Sequence, residues 1–425
     1  MIDRAGLSLP MISRSPKPAT PWRTRLKTAC VAGSSSKVTS ADAEATAALP
    51  RSHILLDAET PLLRSAAAMP CEALRRRGFV VVKLPPEIVA ASRKCTALML
   101  KFFALSNQEK NQYRTRQDGE TVLSHPGYLT PSPGWAELFE IRRSQRDASY
   151  KFPPRLEAPC MRLFEMLRDL SLRWLSLLSL HCCADPHALT RLAATDSAPS
   201  TLRAIHYDQV VELGRQLDAI PPGDATSRAD AERTVMAGFP AHVDSSLLTL
   251  APRGSCSGLS VRDYADGRWL RIERSMAEDE AVLFCGDPIA FITRHYFPAC
   301  MHRPDGLEMA RQAPRTRIST PFFLYPDNEA VLDATACRAD LAPGTLTASE
   351  SALPPSTSAS SSALVQASSL PPPQLNVGDF RLNVGDCRER WPWKKLPYYG
   401  GRVICRDSDH FPGLDQEVYP MDYAD

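Results

Sequence analysis

The sequence predicts an α+β fold, mainly β, in which N-terminal helices pack on a β-sandwich or jelly roll. Two patterns support this prediction. Before residue 200, apolar residues recur at the spacing of amphipathic helices. After residue 200, short β-rich runs alternate with Gly, Pro and Asp, as expected for a domain of many short strands.

The N-terminal elements are predicted from caps and periodicity. The run ALRRRGFVVVK combines a basic helix end, a glycine and a strand over Phe79–Val82. A helix begins at Pro85-Pro86-Glu87, because proline is favoured in a first turn. Ser106 and Glu109 have the spacing of a capping box. A second long helix is predicted over Leu156–Leu180, whose one-sided apolar stripe is typical of a core helix.

The β-rich region follows from residue 201. Predicted strands cover Leu202–Tyr207, Leu247–Leu250, Gly258–Val261, Trp269–Ile272, Ala281–Phe284, Ala299–His302 and Ile318–Tyr325. A polar insertion over Asp208–Gly238 contains PPGDATSRADAER. This composition favours a mobile surface loop.

Composition divides the chain into five segments. Residues 1–45 form a basic segment, predicted to be disordered and typical of a transit peptide. Residues 50–200 form a helical subdomain and residues 201–330 the β-rich core. Residues 340–373 are a Ser/Ala/Pro-rich linker. The tail over 374–425 holds two copies of LNVGD and several aromatic residues, and we assign it no role.

Net charge and the length of the apolar runs exclude several function classes. The formal net charge of +2 gives no general basic surface for nucleic acid. The first forty residues carry seven Lys/Arg and one acid, a net of +6, so the remainder carries 2 − 6 = −4. No uninterrupted apolar run is long enough to span a membrane. We expect an intracellular monomer that acts on a small molecule in the cytoplasm, or in a plastid or mitochondrion if the basic segment is a transit peptide.

The twelve cysteines contain no CxxC pair, and their spacing excludes a zinc ribbon. The chain is long and lacks a secretory signal, so a disulfide framework is not expected. Reduced thiols packed as small apolar side chains are the prediction.

The segment FPAHVDSSLLTL contains the first candidate metal ligands, His242 and Asp244. In an extended segment, residues two apart point to the same face, so an imidazole and a carboxylate would converge. Two histidines and one carboxylate bind Fe(II) on one face and leave three positions open. His295 and His302 are both candidates for the third ligand. Alternatively, the HxD pair only interrupts an apolar strand.

A second motif, RTRISTPFFLYP, places Arg317 and Ser319 on one face of a predicted strand. Arginine can bind a carboxylate through two parallel hydrogen bonds. The apolar neighbours indicate a buried strand, and a buried guanidinium without a counter-charge is costly. Its partner is therefore either a protein acid or an anionic ligand.

The order of several motifs resembles the Fe(II)/2-oxoglutarate-dependent dioxygenases, in the plant-type family that includes isopenicillin N synthase. The resemblance covers roughly Ala73 to Asp327. The matching motifs are ALRRRGFVVVKL, FFALSNQEKNQY, GYLTPSPGWAELFEIR, HVDSSLLTL, GLSV, DGRW, LFCGD, TRHYFPACMHRP and RISTPFFLYP.

The resemblance implies a double-stranded β-helix, a jelly roll, that carries an iron site. The register of TRHYFPACMHRP implies His302 as third ligand, with His242 and Asp244, and places His295 at a turn. Arg317, Ser319 and Tyr207 are implied to hold the far carboxylate of 2-oxoglutarate. The implied cofactors are Fe(II), 2-oxoglutarate and O₂, with ascorbate as a reductant. The implied reaction hydroxylates or desaturates a small organic metabolite.

Departures from the family pattern keep two alternatives open. Ile205 stands where the family has asparagine, the spans before His242 and after His302 are long, and HRP replaces HRV. An oxidase that needs no 2-oxoglutarate, as in isopenicillin N synthase, is one alternative, and a non-catalytic binding protein is the other. Candidate substrate contacts, for at least half of which core packing competes, are Tyr128, Trp135, Phe139 and Arg142.

Overall fold

The structure is a computed structural model. It describes residues 49–52, 64–114, 126–130, 136–143, 151–196, 198–207, 210–221, 223–237, 241–312, 317–327, 330–333 and 335–337, and the strands at 374–376, 398–399 and 402–403. Residues 1–45 and 340–373, for which we predicted a basic N-terminal segment and a linker, lie outside the described residues.

Within the described residues, four α-helices precede the β-rich region, and the two predicted long ones are confirmed. These helices are α1 (Arg64–Arg77), α2 (Pro86–Phe103), α3 (Asn107–Asn111) and α4 (Glu157–Cys182). Helix α2 begins with Pro at its first turn, and Ser106 and Glu109 form the predicted capping box of α3. The apolar stripe of α4 lies in the largest hydrophobic core.

The main sheet has nine strands. Along the sheet the order is β1-β2-β9-β6-β12-β5-β4-β3, and β11 also pairs with β5. Their bounds are Arg51–Ser52 (β1), Phe79–Lys83 (β2), Gly127–Leu129 (β3), Glu137–Arg142 (β4), Thr201–Tyr207 (β5), Leu248–Pro252 (β6), Glu280–Cys285 (β9), Arg317–Ser319 (β11) and Phe322–Leu324 (β12). Residues of β5, β6, β9 and β12 pack with α4 in the largest core, so helices cover one face of this sheet.

A smaller sheet has the order β10-β7-β8, formed by His302–Pro304, Leu259–Arg262 and Trp269–Arg271. A second core joins it to the main sheet, because Val261 packs with Phe79, Val282 and Phe284. The β-rich region is thus two sheets with apolar side chains between them. The architecture is mixed α/β and consistent with a jelly roll.

The expectation that the fold is mainly β was wrong, since more of the described residues lie in helices than in strands. One cause is the insertion predicted as a loop, which forms α5 (Val210–Ala219) and α6 (Ala225–Ala237). Asp224 accepts a hydrogen bond from the backbone N–H of Ser227 and so satisfies a group that a helix start leaves unpaired. The polar composition reflects solvent-facing helix surfaces.

Two short helices occupy other connections. Helix α7 (Asp287–Ile292) follows β9, and α8 (Gly306–Ala310) lies within the long span between β10 and β11. Asp305 caps α8 by accepting a hydrogen bond from the backbone N–H of Glu308 at 2.9 Å. The long span after His302 is thus partly helical.

Part of the C-terminal tail is described. Strand β14 (Gln374–Asn376) pairs with β13 (Val331–Asp333), and β15 (Tyr398–Tyr399) pairs with β16 (Arg402–Val403). None of the helices in the described ranges combines the length and the apolar character that a bilayer crossing requires.

Candidate iron and 2-oxoglutarate site

His242 and His302 lie opposite each other in a single antiparallel bridge. The backbone N–H of each donates to the carbonyl of the other at 2.9 Å. After this bridge the chain bends, and regular strand resumes only at Leu248. The segment is thus extended at His242 and Val243 and again from Leu248, close to the strand predicted over Leu247–Leu250, and Phe239 and Pro240 lie outside the described residues. The bridge still brings together two imidazoles 60 residues apart.

Asp244 lies beside the two imidazoles, and the three side chains form what we call the histidine–aspartate group. Oδ1 of Asp244 lies 3.8 Å from His242 Nε2 and 3.7 Å from His302 Nε2. One ligand atom from each of the three residues can be chosen so that all lie within 4.8 Å of one another. His295 lies outside this group, in a turn with φ of 61°, where its N–H donates to the carbonyl of Ala290.

Neighbouring groups orient the three side chains. Nδ1 of His302 lies 3.1 Å from the carbonyl oxygen of Cys300. A proton on Nδ1 donated to this carbonyl leaves the lone pair of Nε2 directed at the group, as at many metal-bound histidines. The hydroxyl of Thr249 donates to Oδ2 of Asp244, so Oδ1 is the oxygen that faces the imidazoles. Two imidazoles and a carboxylate fit the donor set that holds Fe(II) in oxygenases.

The LFCGD turn holds the backbone of Asp244 in place. The N–H of Asp287 donates to the carbonyl of Asp244 at 2.8 Å. A Cβ on Gly286 would lie 2.0 Å from the carbonyl oxygen of Ser246 and 2.5 Å from that of Asp244, so only glycine allows this approach. Burial, with the nearby charge of Asp244, raises the pKa of Asp287 to about 7. The sequence motif was visible, but its contact with Asp244 was not.

Strand β5 presents alternate side chains to opposite sides of the main sheet. Leu202 packs in the helix-covered core, and His206 stacks on Phe103 of α2 at 5.0 Å. Arg203 and Tyr207 therefore face away from the helices, toward the smaller sheet. Directly opposed residues of antiparallel strands share a face. The residues of β11 that pair with Ile205 and Tyr207 therefore lie on this same face.

Arg317 lies on this face, opposite Tyr207, and its guanidinium carbon is 5.0 Å from the centre of the Tyr207 ring. Ser319 lies one pair further along, opposite Ile205. The three residues predicted to hold 2-oxoglutarate thus share one sheet face. All three are buried.

The guanidinium of Arg317 already has a protein carboxylate. Its Nη2 lies 3.0 Å from both oxygens of Glu273, and its Nε donates to the carbonyl of Cys256 at 3.2 Å. Burial alone would lower the pKa of Arg317, and the charge of Glu273 instead holds it above its ordinary value. Of the two partners that the sequence left open, the structure supplies the protein acid, and the sequence had not identified Glu273.

Two glycines make this ion pair possible. The backbone N–H groups of Gly254 and Gly258 each donate to Glu273 at 2.7 Å. A Cβ on Gly258 would lie 2.5 Å from Cδ and Nε of Arg317. Glycine in the GLSV motif therefore leaves the volume through which the arginine side chain passes.

A second arginine on this face of the main sheet, Arg203, is partly buried. Its Nε and Nη2 lie 2.8 and 2.6 Å from Oε1 of Glu140, and Arg142 Nη2 lies 2.6 Å from Oε2. Burial alone would lower the pKa of Arg203, while Glu140, with a smaller contribution from Asp244, holds it above its ordinary value. Arg203 begins the R-x-I-x-Y strand pattern, a signal that could have identified it.

The predicted substrate contacts separate into three groups. Tyr128 and Phe139 are buried in the largest core, where each packs against Phe102 at 5.8 and 5.0 Å, so the structure assigns their rings to packing. Trp135 lies outside the described residues. Arg142 is buried and contacts Glu140 beside Arg203.

The sequence model of the 2OG-Fe(II) oxygenase superfamily matches residues 200–326. Residues 200–326 are thus similar to the oxygenase domain of this superfamily. The predicted family and oxidoreductase class are thereby confirmed, as are the cofactors Fe(II), 2-oxoglutarate and O₂. The matched range includes the histidine–aspartate group, Tyr207, Arg317 and Ser319.

Three solved structures are similar to the chain at low identity. A full-length Neurospora crassa protein in complex with alpha-KG is 18% identical, with 75% of this chain and 88% of that chain covered and a TM-score of 0.49. The rice dioxygenase for auxin oxidation (DAO) is 18% identical, with coverage of 64% and 81% and a TM-score of 0.46. A 2OG-Fe(II) oxygenase family protein from Caulobacter crescentus is 22% identical, with coverage of 66% and 88% and a TM-score of 0.49. A comparison with curated protein sequences gives no match.

Proposed function

We propose that the chain is an Fe(II)- and 2-oxoglutarate-dependent dioxygenase that hydroxylates or desaturates a small organic metabolite. In this proposal its β-rich region is a double-stranded β-helix, and His242, Asp244 and His302 are the iron ligands. The observation that carries the proposal is the convergence of these three side chains on one buried point within the family-matched range. The absence of nucleic-acid and membrane partners and the monomeric state stay predictions.

The protein groups around this point would bind and orient the reactants. Bound iron would supply the activation of O₂, which protein side chains alone do not provide. Arg317, Ser319 and Tyr207 would bind the far carboxylate of 2-oxoglutarate, because they are buried on one face of the main sheet within the family-matched range. Their burial excludes water, which strengthens charge interactions with an anion.

Anaerobic Fe(II) titration with a parallel assay of succinate formation tests the assignment. The wild-type protein should saturate at one iron per chain, and Asp244→Ala should lose this saturation and at least 99% of 2-oxoglutarate turnover. Asp279→Ala is the control, because Asp279 pairs with Lys83 at the surface and should keep both properties. Wild-type turnover in Asp244→Ala would exclude the proposed iron site.

One observation favours a second candidate, an oxidase of the same fold that does not use 2-oxoglutarate. Because Glu273 already neutralises Arg317, a cosubstrate carboxylate would have to share that guanidinium. O₂ uptake with and without 2-oxoglutarate, measured across candidate metabolites, separates the two. Uptake that depends on 2-oxoglutarate supports the dioxygenase, and substrate-dependent uptake without 2-oxoglutarate supports the oxidase.

A further inference from the structure

Three cysteines meet at the end of helix α4. Their Sγ atoms lie 3.6 Å apart for Cys182 and Cys183, 3.8 Å for Cys182 and Cys337, and 3.5 Å for Cys183 and Cys337. All three side chains are buried, with at most 4% of any residue exposed. We call this group the cysteine triad. It is separate from the histidine–aspartate group, with which it shares no residue.

The local backbone explains how two adjacent cysteines face one point. Cys182 is the last residue of α4, and Cys183 leaves the helix with ψ of 155°. Within a continuous helix, neighbouring side chains point about 100° apart. Beyond the helix end, Cys183 forms an antiparallel bridge with Cys337. This bridge places the third thiol, that of Cys337, beside the other two, although Cys337 is 154 residues away from Cys183 in sequence.

The spacing of the sulfurs matches a metal thiolate site. Zinc–sulfur bonds of about 2.3 Å in tetrahedral geometry place neighbouring sulfurs about 3.8 Å apart. The three observed distances, 3.5 to 3.8 Å, lie close to this value. A disulfide requires a separation of about 2.05 Å, so the triad holds three separate thiols. Packing as apolar side chains would not require three thiols at mutual contact.

A positive charge lies next to the backbone of the triad. Nη2 of Arg294 lies 3.4 Å from the carbonyl oxygen of Cys337. Arg294 and His295 both have positive φ, of 52° and 61°, and such conformations outside glycine persist where the surrounding structure enforces them. The turn therefore keeps the guanidinium of Arg294 beside the backbone of Cys337.

We propose that Cys182, Cys183 and Cys337 bind one soft metal ion, Zn(II) or Cu(I), at a site separate from the iron site. Thiolates select these ions over Fe(II), Mg(II) and Ca(II). Three thiolates with Zn(II) carry a net charge of −1, which Arg294 balances, and a water would take the fourth position. With Cu(I) the three sulfurs suffice, and the net charge is −2. Binding displaces the remaining thiol protons to solvent, so affinity rises with pH.

The site would join two distant parts of the chain. Cys182 and Cys183 lie at the C-terminal end of α4. Cys337 follows strand β13, beyond the family-matched range. Strand β13 also contacts helix α7, whose first residue donates to the carbonyl of Asp244. The metal would hold the segment after β13 against α4.

Metal titration of the full-length reduced protein tests the proposal, with Zn(II), Cu(I) and the spectroscopic probe Co(II) each added alone. Thiolate ligation produces sulfur-to-metal charge-transfer absorption that a site of histidine and aspartate does not. We expect one equivalent of this signal, with affinity at least tenfold lower in Cys337→Ser and Cys183→Ser. The arm that binds more tightly at equal free concentration identifies the ion.

Cys160→Ser is the matched control. Cys160 is also a buried thiol, 3.2 Å from Cys95, and lies in α4 outside the triad. It should keep the full charge-transfer signal. An equal loss of signal in Cys160→Ser and Cys337→Ser, or no signal in the wild-type protein, overturns the proposal.

X-ray absorption on the wild-type protein gives an independent answer if the variants unfold. Three sulfur neighbours at about 2.3 Å would support the site. Nitrogen and oxygen neighbours alone would overturn it, as would a protein 2 Da lighter that carries a Cys183–Cys337 disulfide and takes up no ion.

Discussion

Two arginines on the same face of the main sheet, Arg317 and Arg203, are neutralised differently. Arg317 has its own carboxylate, Glu273, which also accepts hydrogen bonds from Gly254 and Gly258. Arg203 instead shares Glu140 with Arg142.

The two regions differ in how many guanidinium groups share one carboxylate. An anion that enters near Arg317 must compete with Glu273 for one guanidinium. Near Arg203 it must compete with a carboxylate that two arginines share. Buried ion pairs repay their desolvation only when the geometry is good, so removing one partner should affect the two regions unequally.

The largest effect is expected from Glu140→Gln. The buried Arg142 and the partly buried Arg203 would lose their shared counter-charge, and removing one partner of a buried pair costs about 3–5 kcal/mol. Urea unfolding measures this free energy. Glu212→Gln, which breaks an exposed pair with Arg215, should cost less than about 0.5 kcal/mol. An equally small loss of unfolding free energy in Glu140→Gln would show that charge does not stabilise the group formed by Arg203, Glu140 and Arg142.

Gly258→Ala should act on Arg317 through sterics. The added Cβ would lie 2.5 Å from Cδ and Nε of Arg317 and from Cγ of Met309, and such overpacking costs about 1–3 kcal/mol. Because Arg317 must move, the KM for 2-oxoglutarate should also rise. Gly223→Ala is the control, since its Cβ would meet nothing within 4 Å. An unchanged KM with lowered stability would separate Arg317 from cosubstrate binding.

Glu273→Gln should tighten 2-oxoglutarate binding by about tenfold, or about 1.4 kcal/mol, because the carboxylate that competes for Arg317 is gone. Anaerobic calorimetry with Fe(II) present measures the Kd. The control is Glu308→Gln, which changes another buried acid, one that pairs with Arg271 and Arg274. Weaker or unchanged binding in Glu273→Gln would favour the oxidase that does not use 2-oxoglutarate.

The smallest effect is expected from Ser319→Ala. Loss of one hydroxyl hydrogen bond to the cosubstrate carboxylate should cost about 1 kcal/mol, so KM for 2-oxoglutarate should rise about fivefold while kcat changes little. Steady-state kinetics with varied 2-oxoglutarate checks this. An unchanged KM would mean that the carboxylate does not reach Ser319.

The parts of the fold that sequence predicted well depend on local patterns. Helices α2 and α4, the capping box at Ser106 and most strands follow from spacing within one segment. The Asp208–Gly238 insertion was predicted wrongly, because a polar helix and a polar loop have similar compositions. Its helices became visible only through their backbone hydrogen bonds and their packing near Met309.

For the candidate site, the sequence predicted the chemical groups but not most of their protein partners. The donor types and their order, His-x-Asp, a later histidine and Arg-x-Ser, were readable. The structure brings the two histidines and Asp244 together, and it places Arg317 and Ser319 on one face of the main sheet. Glu273, Glu140 and the cysteine triad were not readable. No local pattern marks a carboxylate or thiol whose partner lies far away along the chain.

The sequence by itself determined which chemical groups the chain carries and the segments in which they lie. The tertiary structure alone decided which of those groups meet. Glu273 lies 44 residues from Arg317, Glu140 lies 63 residues from Arg203, and Cys337 lies 155 residues from Cys182. Helix and strand periodicity is set by neighbours within a few residues, whereas these contacts exist only after the sheets and helices pack.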